Sequence, residues 1–167
     1  EIAAQELDGF IVPMTDAHQG EYLPRQAERL AWLTGFTGSA GMAIVLADRA
    51  GVWSDGRYTL QLREQVDGSL FSLHHITEAP PHDWLAAAAA GRRIGYDPWL
   101  HTPDGLARWR RAAEKGGFEL VPVARNPIDR VWEDQPPPLG PVRPHTEMFT
   151  GRSAQDKRME IAGLLKA

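Results

Sequence analysis

The residues best placed to do chemistry are Asp55, Arg57 and the glycine-rich run Gly35-Phe-Thr-Gly38-Ser39-Ala-Gly41. Asp55-Gly-Arg57-Tyr58 follows a strand-like stretch and opens a helix-like one, and open α/β sheets usually place functional groups in such loops. Asp55 can cap the helix while Arg57 reaches outward. A guanidinium makes planar, two-pronged bonds to carboxylates and carbonyl oxygens. The alternative is an internal Asp–Arg structural pair, and the sequence leaves both open. Gly38 and Ser39 lie in a run that is not Gly-x-Gly-x-x-Gly and that no lysine follows. It precedes a strand, whereas an anion cradle needs a helix N-terminus. Ser39 is not in a Gly-x-Ser-x-Gly elbow, so a nucleophilic serine is not indicated. The run reads as a tight helix-to-strand connection that can also line a site.

The histidines are His18, His74, His75, His82, His101 and His145, and none forms a His-Glu-x-x-His pair. With no cysteine in the chain, thiolate chemistry and disulfides are excluded. His74 and His75 sit side by side on a strand and point to opposite faces, one packed and one wet. Carboxylates are scattered, and no set of Asp, Glu and His suggests a two-metal site. Neither a catalytic residue nor a metal ligand is assigned, and no cofactor is expected in the chain itself.

These loops need a scaffold, and the apolar pattern supplies one. Strands are predicted at Gly9–Met14, Gly41–Ala47, Gly51–Ser54, Leu70–Ile76, Arg93–Asp97 and Phe118–Val123. The second and third form an antiparallel hairpin. Helices are predicted at Pro24–Thr34, Arg57–Val66, Asp83–Ala90 and 102–116, with a short one at Asn126–Trp132. The fourth is the best signalled: Thr102 caps it, Pro103 opens it, Gly116 ends it, and Leu106, Trp109 and Ala113 mark its buried stripe. Strands alternating with helices around one hairpin imply an α/β fold, with a mixed β-sheet of about six strands flanked by helices.

Five prolines between Pro136 and Pro144 make 133–150 an extended linker after a domain of residues 1–132. Ser153 and Asp156 resemble a capping box, and Ile161, Leu164 and Leu165 begin an apolar face, so 151–167 opens a second domain. A net charge of −4 disfavours nucleic-acid binding, and Arg108, Arg110 and Arg111 read as the wet side of a helix. No stretch of the sequence is long and apolar enough to cross a membrane. Residues 1–9 carry no basic and apolar leader pattern, and a cytoplasmic location is expected.

The ordered motifs Ile11-Val-Pro13, Asp16-Ala-His18-Gln19, Glu21-Tyr-Leu23, Leu33-Thr-Gly-Phe-Thr-Gly-Ser-Ala-Gly41 and Trp53-Ser-Asp-Gly-Arg-Tyr58 resemble the N-terminal domain of long-form Xaa-Pro aminopeptidases. These belong to the creatinase/prolidase family, peptidase family M24. Ile94-Gly-Tyr-Asp-Pro98, Leu120–Val123 and Asn126–Trp132 extend the match. The resemblance implies a creatinase/prolidase N-terminal fold with a ribonuclease H-like motif. It implies a cytoplasmic metallopeptidase that removes the residue before proline. Two manganese ions would sit in a C-terminal domain not contained in these residues. This chain would then wall the substrate cleft and take part in subunit contacts of a homo-oligomer, with Arg57, Asp55, Gly38, Ser39 and His18 as substrate-binding candidates. For His18 a packing or loop-ordering role competes. The competing readings of the whole are a non-enzymatic protein-interaction module of the same family and an independent small hydrolase.

Overall fold

The computed structural model describes residues 1–138 and 140–166. Among these, six strands form one sheet: β1 (Gly9–Pro13), β2 (Met42–Leu46), β3 (Ala50–Ser54), β4 (Ser72–His75), β5 (Arg93–Tyr96) and β6 (Glu119–Pro122). Their order is β4-β3-β2-β1-β5-β6. The β1–β2 and β2–β3 pairs are antiparallel, and the β3–β4, β1–β5 and β5–β6 pairs are parallel. The helices are α1 (Arg29–Thr34), α2 (Thr59–Gln65), α3 (Pro81–Ala88), α4 (Pro103–Gly116), α5 (Pro127–Val131), α6 (Glu147–Thr150) and α7 (Ala154–Lys166).

The central strands are apolar on both sides because both sides are covered. Side chains alternate along each strand. Phe10, Val12, Ala43 and Val52 therefore pack with Leu30, Leu62 and Ile128 from α1, α2 and α5. Ile11, Ile44, Trp53 and Ile94 pack with Leu85, Trp109 and Ala112 from α3 and α4. The result is helices on both faces of a mixed sheet, as the sequence pattern predicts.

Local signals hold well in α4. The Thr102 hydroxyl accepts the Gly105 N–H at 3.1 Å and Pro103 is the first helical residue. The stop is Gly117 rather than Gly116: Gly117 takes the left-handed conformation at φ 67°. Gly116 is the last helical residue, and a Cβ there would lie 2.6 Å from the backbone of Ala86, so its lack of a side chain permits the close approach of α3 to α4. The buried stripe is centred on Trp109 and Ala112, with Leu106 and Ala113 at its margin. Arg108, Arg110 and Arg111 are exposed.

Other elements shift. The helix expected at Pro24–Thr34 splits into a 3-10 turn, Arg25–Ala27, and the short α1, because Glu28 leaves helical geometry at ψ 46°. The helix expected from Arg57 begins as a 3-10 turn at Gly56–Tyr58 and becomes α2 at Thr59. Helix α3 starts at Pro81, two residues early, with proline at its first position. Strand β4 is four residues long, not seven.

The chain forms two compact units, divided between Pro137 and Pro138. In the second, the single turn of α6 lies within the stretch expected as linker. Ser153 Oγ accepts the Asp156 N–H at 3.0 Å and opens α7. Ile161, Leu164 and Leu165 are exposed on that helix.

Candidate functional site

Strand direction decides where the site forms. The parallel and antiparallel pairings make β2 run against the other five strands. The ends of β1, β3, β4, β5 and β6 and the entry to β2 therefore share one rim. His18 follows β1, Gly38 and Ser39 precede β2, and Asp55 and Arg57 follow β3. All five residues singled out by sequence fall on that rim.

Four of them form one cluster. Asp55 Oδ1 accepts the backbone N–H of Arg57 at 3.0 Å, which fixes the turn. The guanidinium also forks onto the same carboxylate, with Nη2–Oδ2 at 2.7 Å and Nε–Oδ1 at 3.1 Å. The hydrogen bonds from Arg57 hold the Asp55 carboxyl below its ordinary range, and Asp55 raises Arg57 in turn. The two possibilities left by the sequence therefore coexist. Arg57 is paired, yet its side chain is 66% exposed and keeps a cationic edge toward solvent.

Tyr58 joins this pair to the glycine-rich run. Its ring lies 5.2 Å beneath the Arg57 guanidinium. Its hydroxyl meets Ser39 Oγ at 2.5 Å, and that bond lowers the phenol pKa. Phe36 packs edge-on against the same ring at 5.9 Å. A Cβ on Gly38 would lie 2.3 Å from Phe36 Cζ and 2.8 Å from Tyr58 Cδ1, so the run can pass only with glycine there. Two further bonds fasten the loop: Thr37 N–H to Gln65 Oε1 at 2.9 Å, and Ser54 Oγ to the Ala40 carbonyl at 2.6 Å. Sequence reasoning quoted Tyr58 only within a motif and gave it no role. Its aromatic ring directly after Arg57 was the available signal.

His18 is not part of this cluster. It lines a separate pocket of about 290 Å³ with Asp16, Asp97, Trp99 and Leu100. Asp16 is buried and its Oδ1 accepts the backbone N–H groups of Gly20 at 2.9 Å and His18 at 3.0 Å. The Gly20 bond is the main cause of its lowered pKa. The His18 side chain is exposed. The ordering of this loop thus works through the backbone of His18 and the side chain of Asp16. At the neighbouring strand end, buried Asp97 accepts the Trp99 N–H at 3.0 Å and the Asn126 amide at 3.0 Å.

Two more pockets flank the Arg57 cluster. Met14, Tyr22, Leu30, Phe36, Gly38 and Ser39 contribute to a mainly apolar one of about 210 Å³. Ser54, Asp55, Arg63, His75 and Glu78 contribute to a polar one of about 330 Å³. Ser39 lines one and Asp55 the other, so the Ser39–Tyr58–Arg57–Asp55 chain of contacts runs between them. His74 and His75 do diverge: His74 stacks on Trp53 at 4.8 Å, and His75 accepts from or donates to Thr77 Oγ1 at 2.8 Å. Among the described residues no three His, Asp or Glu side chains are grouped as metal ligands. This rim carries a fixed cationic fork and an apolar recess side by side.

Comparison with known proteins places the fold. The model of the creatinase/prolidase N-terminal domain matches residues 1–131. Xaa-Pro aminopeptidase 2 of Homo sapiens is 38% identical over 161 residues, which is 94% of this chain and 24% of that protein. Aminopeptidase P1 of Lotus japonicus is 37% identical over 158 residues, covering 93% of this chain and 24% of that protein. The crystal structure of X-prolyl aminopeptidase from Caenorhabditis elegans, a cytosolic enzyme with a di-nuclear active site, superposes with a TM-score of 0.82 at 30% identity. That match covers 96% of this chain and 27% of the nematode chain. A creatinase/prolidase-like N-terminal domain from Corynebacterium diphtheriae superposes with a TM-score of 0.56 at 25% identity, covering 73% and 86% of the two chains. The chain spans about a quarter of the length of the curated relatives it matches. It belongs to the creatinase/prolidase N-terminal domain family.

Proposed function

We propose that this chain is the non-catalytic N-terminal domain of a Xaa-Pro aminopeptidase, where it walls the peptide cleft and contributes to subunit contacts of a homo-oligomer. The observation that carries the reading is the exposed, fixed guanidinium of Arg57 at the strand-end rim. A peptide presents carbonyl oxygens and one terminal carboxylate, and a guanidinium with a free edge can bond either. Tyr22 and Trp99 support the same face as the docking side, being 87% and 74% exposed on loops that follow β1 and β5.

Bond cleavage in this proposal belongs to a catalytic domain in the remainder of the protein. The residues of this chain do not fit a two-metal centre, since among those described no ligand cluster forms. The two metal ions, manganese in this proposal, are held elsewhere. A cytosolic location is part of the same reading and follows the nematode relative.

The test is Arg57→Ala in the full-length enzyme, assayed on a series of Xaa-Pro peptides of increasing length. Removing one charge-assisted bond should lower kcat/KM by roughly tenfold or more for the lengths that reach Arg57. Shorter peptides should be cleaved nearly as before. Equal losses at every length, or none, would reject the cleft role. Failure of the full-length protein to cleave any Xaa-Pro peptide would instead favour a non-enzymatic interaction module.

A further inference from the structure

We infer that Tyr58 is a positioning residue that sets the Arg57 fork and the Gly35–Gly41 loop in one fixed relation, so that the two act on a peptide as a single surface. This rests on the aminopeptidase reading for its consequence and on geometry alone for its structure.

Three contacts meet on this one side chain, and each comes from a different direction. The ring face carries the Arg57 guanidinium at 5.2 Å. The ring edge and face lock against Phe36, itself 1% exposed and part of the core. The hydroxyl closes on Ser39, nineteen residues away in sequence, at 2.5 Å. Gly38 passes so close that any side chain there would displace the ring. Among the described residues, Arg57 has one other partner, Asp55, and both are on the same turn. That pair can fix the guanidinium to its own turn but not to the loop across from it. Tyr58 supplies the cross-link, and a core aromatic anchors it. Other ties hold the loop through Thr37 to Gln61 and Gln65, Phe36 to Thr34, Gly41 to Met14 and Ala40 to Ser54, and none of them touches Arg57.

The parts of the tyrosine separate by substitution. Tyr58→Phe keeps the ring under Arg57 and against Phe36 and removes only the bond to Ser39. Tyr58→Leu also removes the aromatic face. The first measurement is amide hydrogen exchange on the 167-residue chain, which needs no catalysis. Losing one hydrogen bond, worth about 1 kcal/mol net, should speed exchange of the loop amides of Phe36 and Thr37, which are held on Thr34 and Gln65, by roughly fivefold in Tyr58→Phe. Ser39→Ala should do the same, and the double variant should do no more than either single change. A spectroscopic check runs beside it. The phenol of Tyr58 ionises below the ordinary tyrosine range because of Ser39, and Ser39→Ala should move that titration upward in ultraviolet difference spectra.

The second measurement is peptide-length selectivity in the full-length enzyme. Tyr58→Leu should reproduce the length-dependent loss of Arg57→Ala while Tyr58→Phe retains most of the selectivity. Additive exchange effects of Tyr58→Phe and Ser39→Ala, or unchanged loop exchange, would overturn the cross-link. Selectivity unchanged in Tyr58→Leu, with Arg57→Ala still selective, would overturn the positioning role. Loss of selectivity in none of the variants, with the exchange results as expected, would leave the cross-link standing and reject the cleft reading instead.

Discussion

The two ends of the sheet use the same residue types for different ends. At the rim where β1, β5 and β6 begin, charges are spent on stitching. Arg92 Nη1 reaches Asp48 Oδ1 at 2.6 Å across forty-four residues of sequence. Asp8 accepts the Arg93 N–H at 2.8 Å, and Arg93 bonds the Glu6 carbonyl at 2.6 Å and the Glu119 carboxylate at 3.3 Å. At the opposite rim the Asp–Arg pair spans two residues, and its arginine side chain is more than twice as exposed as that of Arg92, 66% against 30%. The Arg92–Asp48 pair staples distant segments together and leaves less of its arginine free. A local pair orients a cation and leaves it available. The lesson is that the sequence separation and exposure of an ion pair, not its composition, tell a staple from a presented group.

The largest effect that would sharpen this contrast is expected at Gly9, on the stitched rim. A Cβ there would lie 2.7 Å from the Val45 carbonyl oxygen and 2.4 Å from Leu46. The carbonyl belongs to the central β1–β2 ladder and cannot yield. Gly9→Ala should cost about 1–3 kcal/mol in urea unfolding, with peptide-length selectivity unchanged per folded molecule. Gly38→Ala should cost a comparable amount, about 1–3 kcal/mol, because the nearest atom, Phe36 Cζ at 2.3 Å, belongs to a buried core ring. It should change selectivity more. If Gly9→Ala changes selectivity and Gly38→Ala does not, the assignment of rigidity to one rim and presentation to the other is wrong.

Acid should separate the rims next. Burial depresses the pKa of His101, which follows β5 on the presenting rim and has a buried Nε2 with no partner. A base depressed in the folded state binds fewer protons than when unfolded. Its contribution to stability is full above the unfolded pKa of about 6.5 and is lost as pH falls through the folded value. His74 and His82 are depressed by burial too and act in the same direction. Thermal midpoints should therefore fall between about pH 7.5 and about pH 5. His101→Phe, which keeps a ring against Tyr96, should flatten part of that fall. Asp48 should not contribute in this window, because hydrogen bonds from Arg92 and then Arg49 hold its carboxyl well below the usual range. An identical pH profile for His101→Phe and the parent would refute the assignment.

The smallest effect compares the two pairs directly. Arg92→Ala should lower the thermal midpoint measurably, whereas Arg57→Ala should leave it unchanged, since an exposed local pair is screened by solvent. Equal shifts would erase the distinction between staple and presented group.

Much of this was legible in the residues themselves wherever the deciding contact was local. The Thr102 cap bonds an N–H three residues on, and Pro103 opens the helix beside it. The β2–β3 hairpin is a property of one turn. The turn at Asp55 was likewise visible, because the carboxylate and the Arg57 N–H are neighbours in the chain. The splitting of Pro24–Thr34 was not, since a short helix with no side-chain cap is held by what it packs against, not by its own propensities. Nor was the packing role of Gly116, which the distant residue Ala86 approaches closely.

By itself the sequence determined the alternation of strands and helices, the caps and turns, and the candidates that sit in loops, because backbone hydrogen bonding and side-chain periodicity act over a few residues. Only the tertiary structure decided that β4 joins the outside of β3, that His18 stands apart from Arg57, and that Ser39 meets Tyr58. Those are contacts between segments distant in sequence. Their existence depends on how strand directions close the sheet, which no local pattern encodes.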